Sequence, residues 1–142
     1  MALSVVIELS IIALQALRGT TSHYNQTTSF DGTLFSIMGN FVILLWCLHL
    51  VTSVLLLIER LPERPMAAGL ALGLVVTAIG MAIAGTMLPR GAHTVGMPDG
   101  GPGLPFLGWS TIAGDLRVSH FFGLHALQVI PLAAYMIDVR RG

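Results

Sequence analysis

Four long apolar blocks decide what this chain can fold into. They run from Ala2 to Leu17, Leu34 to Ile58, Met66 to Leu88 and His120 to Val139. Their apolar residues are continuous rather than spaced on one helical face, which points to a bilayer as solvent rather than water. A helix needs roughly 20 residues to cross the hydrocarbon core. The middle two blocks exceed that length, the fourth reaches it, and the first is short and interrupted by Glu8 and Gln15. Only 10% of the 142 residues are charged, too few to cover a soluble domain of this size.

These blocks predict an all-α, four-helix transmembrane bundle forming one membrane domain over residues 1–142. The expected helices cover about 2–17, 34–58, 66–88 and 120–139, with long outer loops at 18–33 and 89–119. A cleaved signal peptide is the rival for the first block. No Lys or Arg precedes Arg18 and a carboxylate sits mid-segment, so a retained helix is expected. Arg60, Arg64, Arg140 and Arg141 would share one side and Arg18, Arg90 and Arg117 the other. Positive-inside counting then places both ends of the chain in the cytoplasm.

The loop Arg18 to Thr33 is rich in Thr, Ser and Asn, and Asp31-Gly32 reads as the turn that ends it. The segment Pro89 to Val118 holds seven glycines and four prolines. Such a composition suits a flexible linker, but Leu104, Phe106, Leu107, Trp109 and Ile112 are apolar anchors that a solvated linker lacks. An ordered Gly/Pro-rich extracytoplasmic cap is therefore expected, with Trp109 at headgroup level. In the third block Gly69, Gly73, Thr77, Gly80 and Ala84 fall on one helical face, where small residues let another backbone approach closely.

Several stretches look familiar. Gly91-Ala92-His93-Thr94-Val95-Gly96, Pro98-Asp99-Gly100-Gly101-Pro102-Gly103-Leu104-Pro105, Gly108-Trp109-Ser110-Thr111 and Gly114-Asp115-Leu116-Arg117 carry the likeness. So do His120-Phe121-Phe122-Gly123-Leu124-His125-Ala126-Leu127-Gln128, Ser22-His23-Tyr24-Asn25 and Phe30-Asp31. Together they resemble an uncharacterised group of bacterial polytopic integral membrane proteins, over about two-thirds of the chain. The resemblance implies a helical fold in a bacterial cytoplasmic membrane, and it brings no activity, cofactor or catalytic residue.

Polar groups inside a bilayer are costly and ask for a partner or a purpose. Ser4, Glu8, Gln15 and Arg18 make a polar stripe on the first helix, expected to face the bundle. Counted from the cytoplasmic ends, Glu8 is roughly 10 Å deep and His49 roughly 13 Å. They form a candidate intramembrane polar pair, either structural or proton-carrying. On the fourth helix His120 and His125 diverge by roughly 140°, whereas His125 and Gln128 share a face. His49, His125 and Gln128 are candidates for haem b or a quinone, although His49 and His125 differ in depth by roughly 6–13 Å. At the outer boundary His23, His93, His120 and Asp115, with Asp31 and Asp99 nearby, could build a Zn or Cu site. Loop pins and salt bridges are the plainer use of the same groups.

Cys47 is the only cysteine, so no internal disulfide is available. Zero net charge offers nothing to nucleic acid. Whether the chain is an enzyme is left open by these residues. The leading expectation is a non-catalytic subunit or binding module, with the bilayer and other membrane subunits or further copies of itself as partners. A haem- or quinone-binding redox protein and a metal-dependent activity at the outer face are the alternatives.

Overall fold

The computed structural model describes residues 2–59 and 65–141. The segment 60–64, with Arg60 and Arg64, lies outside the described residues. The chain is mostly helical: α1 Ala2–Leu17, α2 Ser29–Ile58, α3 Pro65–Gly85, the short α4 Met87–Arg90 and α5 Leu116–Arg141. Between α4 and α5, β1 Thr94–Val95 pairs antiparallel with β2 Gly114–Asp115, Thr94 opposite Asp115 and Val95 opposite Gly114.

Among the described residues three helices are long and apolar enough to cross a membrane: Ser29–Ile58, Pro65–Arg90 and Leu116–Arg140. Four were expected. With 16 residues, α1 is about 24 Å long, short of the ~30 Å hydrocarbon core. Two helices also begin earlier than their apolar blocks. Thr28 precedes α2, its hydroxyl accepting the Asp31 N–H at 3.1 Å while the Asp31 carboxylate accepts the Thr28 hydroxyl at 2.6 Å. The Thr28 hydroxyl thus caps a free N–H of the first turn, so Asp31-Gly32 begins a helix and does not end a loop. Asp115 likewise precedes α5 and accepts the Arg117 N–H at 3.0 Å. An apolar block marks the stretch that suits hydrocarbon, whereas capping residues mark where the helix starts.

The chain divides into two compact units, residues 1–51 and 52–142. In the first, α1 turns Ser4, Ile11 and Gln15 inward, with Glu8 half-buried on the same face. The second is organised by α3 and α5, which run antiparallel in close contact. A Cβ added to Gly80 would lie 2.6 Å from the Gly123 Cα, and one on Gly123 2.5 Å from the Gly80 Cα. The two backbones therefore touch. Gly69 meets Ala134, and Gly73 faces the Ala126 carbonyl and Pro131. The Thr77 hydroxyl donates to the Gly123 carbonyl at 2.9 Å. The face of α3 formed by Gly69, Gly73, Thr77 and Gly80 is thus buried against α5 of the same chain, with Ala84 half-buried beyond it. Pro65 opens α3, where a missing N–H costs nothing. Gly91 closes α4 at φ 59°, its N–H donating to the Met87 and Leu88 carbonyls.

Candidate functional site

Three aspartates consume most of the polar chemistry at the ends of the spans. Asp31 is buried and gathers the junction of α1 and α2. It accepts hydrogen bonds from the Gln15 amide at 3.0 Å, Arg18 at 2.6 Å and the Thr27 hydroxyl at 3.2 Å, besides Thr28. Gln15 is fully buried, and its amide oxygen accepts from Arg18. The Arg18 guanidinium also lies 4.8 Å over the Phe30 ring.

Asp99 organises the segment after α4. It accepts the backbone N–H groups of His93 (3.1 and 3.0 Å to its two oxygens) and Thr94 (2.7 Å), and the His93 Nδ1 at 2.8 Å. Burial pushes the Asp99 carboxyl up, but these donors outweigh it and hold the group well below the usual carboxylate range. Asp115 accepts from Ser110 N (2.9 Å) and from the Arg117 Nε and Nη2 (3.0 and 2.7 Å). The Arg117 side chain is the largest cause of its lowered pKa, about 2.

Among the described residues no three His, Cys, Asp or Glu converge as a metal ion requires. Three of the expected quartet have other contacts. His93 is tied to Asp99, Asp115 to Arg117, and His23 Nδ1 lies 2.9 Å from the Ser22 hydroxyl. His120 is half-buried beside α3 and hydrogen-bonds the Gly80 backbone, with its Nδ1 buried and unpartnered. In the first unit His49 is buried in α2 and Glu8 half-buried in α1.

The site with most left to offer is on α5. At 100° per residue, His125 and Gln128 lie roughly 200° and 140° round from Gly123, on the face turned away from α3. Both are exposed, and Gln128 sits midway along the 26-residue helix. The His125 Nδ1 is 2.8 Å from the Phe121 carbonyl one turn back. A carbonyl can only accept, so Nδ1 carries a proton and donates it to Phe121. The Phe121 ring lies 4.1 Å from the imidazole and fixes its plane. Leu132 and Tyr135 continue the same exposed face toward the C-terminal end.

This face holds an imidazole oriented through its Nδ1 and, one turn on, an amide that can both donate and accept. Sequence spacing had paired His125 with Gln128, but it could not tell that α3 packs on the opposite side. Nor did it find the donors around Asp31, since Gln15 and Arg18 meet it only across a folded loop. Comparison with protein-family models, curated proteins and solved structures returned no match.

Proposed function

We propose that this chain is a non-catalytic subunit of a membrane assembly that docks another transmembrane helix on the α5 face bearing His125 and Gln128. The helix would come from another subunit or from a second copy of the chain. One observation carries the reading: two polar side chains are exposed midway along an apolar helix, opposite the face already packed on α3. Lipid tails offer them no hydrogen bond, and leaving such groups unsatisfied in hydrocarbon costs several kcal/mol each. A partner helix satisfies them, and interhelical hydrogen bonds from His and Gln are a common way to join membrane helices. The glycine face of α3 cannot serve this purpose while α5 covers it.

We place the chain in a bacterial cytoplasmic membrane with both ends cytoplasmic. α1 serves as a short fourth span, and the α4–α5 connection forms the extracytoplasmic cap. Exposed Leu3, Val6, Leu9 and Leu17 along α1 suit contact with lipid. Arg140 and Arg141 at the end of α5 support the orientation.

A second reading has its own support. A histidine that ligates a metal usually donates its other N–H to a carbonyl, and His125 does this toward Phe121, as a haem ligand would. A quinone carbonyl could instead accept from the Gln128 amide.

Cysteine cross-linking tests the docking. In a Cys47→Ser background, Leu132→Cys should form oxidative conjugates in native membranes. Adding His125→Leu and Gln128→Leu should abolish them. Absence of conjugates, with unchanged complex size in the double variant, would mean that this face meets lipid. A Soret band in the purified protein would move the assignment to haem.

A further inference from the structure

The connection between α4 and α5 contains a turn whose side chains face outward. Leu104 N–H donates to the Trp109 carbonyl, Gly108 N–H to the Leu104 carbonyl and Leu107 N–H to the Pro105 carbonyl, each at 2.8 Å. Gly103 bridges to Ser110 at the base, where a Cβ on Gly103 would come within 2.8 Å of the Gly108 backbone. The result is a closed loop with Phe106 at φ 65° and fully exposed. An aromatic residue held in the left-handed region, with its ring touching nothing, is a strained conformation that the rest of the loop imposes. Leu104, Leu107 and Ile112 are exposed beside it.

The level of this loop along α5 is set by two contacts. Arg117, in the first turn of α5, donates from Nη2 to the Gly108 carbonyl at 2.7 Å. Trp109 packs edge-to-face on Phe121, in the second turn, with ring centroids 5.4 Å apart. The loop is thus bound to the first two turns of a helix apolar enough to span a membrane, where such a helix leaves the headgroup region. No charged residue occurs between Asp99 and Asp115, and both those carboxylates are occupied by internal donors. An uncharged, aromatic, proline-containing loop at that height matches the chemistry of the membrane interface, where Trp and other amphipathic or apolar side chains partition.

We propose that Leu104-Pro105-Phe106-Leu107 is an interfacial anchor, with Phe106 inserted between the headgroups and acyl chains of the leaflet at this end of α5. The partner is lipid. Because Arg117 and Trp109 clamp the loop to α5, the anchor would hold that helix at a fixed depth and limit its sliding along the membrane normal. This inference needs only a membrane-spanning α5 and is independent of what docks at His125.

The test uses the full chain with one reporter tryptophan. Trp46→Phe and Trp109→Phe remove the native indoles, the latter keeping an aromatic ring on Phe121. Phe106→Trp or, separately, Leu107→Trp then places the probe, so the second variant retains Phe106. In phosphatidylcholine vesicles the emission should be blue-shifted from that of tryptophan in water. Bromine near the headgroup end of the acyl chains should quench it more than bromine at the chain termini. Water-like emission with no lipid quenching in both variants would overturn the proposal. So would blue-shifted emission that neither bromine position quenches, because another protein surface would then cover the loop.

Discussion

The two units of the chain are held together in opposite ways. In the second, α3 and α5 meet through the absence of side chains: Gly80 and Gly123 bring the backbones into contact, and Gly69, Gly73 and Ala134 extend the seam. In the first, the junction of α1 and α2 depends on side chains reaching across a loop, with Gln15, Arg18, Thr27 and Thr28 all donating to Asp31. Both solutions suit helices that are long and apolar enough to cross a membrane. Hydrophobic burial does not drive helices together in a medium as apolar as leucine, so close van der Waals contact and hydrogen bonds must do so. The glycine seam should be insensitive to polarity and intolerant of volume. The aspartate junction should be the reverse.

The largest effect should come from volume on the seam. Gly80→Leu or Gly123→Leu must push one backbone away from the other, and we expect a loss of about 3 kcal/mol or more, at or beyond the upper end of typical overpacking costs. The contrast is Gly39 in α2, where an added Cβ meets nothing within 4 Å. Gly39→Leu should leave thermal stability in detergent unchanged or raise it, since Gly is the poorer helix former. If all three variants melt alike, the seam does not govern the stability of the second unit.

A smaller loss should follow from removing polarity at the junction. Gln15→Leu makes α1 more apolar and, by hydropathy alone, better suited to a membrane. Yet Gln15 is fully buried and donates to Asp31. Leaving that carboxylate and Arg18 short of a partner should cost about 1–3 kcal/mol. Limited trypsin digestion at Arg18 should also speed up as the loop loosens. Unchanged melting and cleavage would show that Arg18 and the threonines suffice, and that the junction is less interdependent than the seam.

The sequence made one of these regions far more legible than the other. Gly69, Gly73, Thr77 and Gly80 recur at helical spacing within a single block, so a packing face could be read from local order alone. The complementary face of α5 escaped notice because Gly123, Ala126 and Ala134 are interleaved with His125, Gln128 and Pro131, which draw attention to chemistry instead. The aspartate junction joins residues 16 positions apart and exists only after the loop folds. Its one local trace, a threonine three residues before Asp31, was a helix-capping signal overshadowed by the Asp-Gly turn pattern. The aspartates near the candidate metal ligands have other partners for a related reason. A Gly/Pro-rich segment has many backbone N–H groups without helical partners, and Asp99 and Asp115 are drawn to those donors.

The smallest expected effect isolates a single polar contact inside the seam. Thr77 is buried, and its hydroxyl donates to the Gly123 carbonyl at 2.9 Å, beside the closest approach of the two backbones. Thr77→Val keeps the branched shape and removes the donor. The carbonyl is not orphaned, because in a regular α-helix it also accepts the N–H four residues on. Interhelical hydrogen bonds in membrane proteins average about 0.6 kcal/mol, so the variant should lose no more than about 1 kcal/mol. Thr77→Leu should lose more, since it adds volume where α5 leaves no room. That ordering, with a lost hydrogen bond mattering less than an added carbon, is what a seam built on contact requires. If Thr77→Val were the more damaging change, the α3–α5 pair would depend on a hydrogen bond as the α1–α2 junction does.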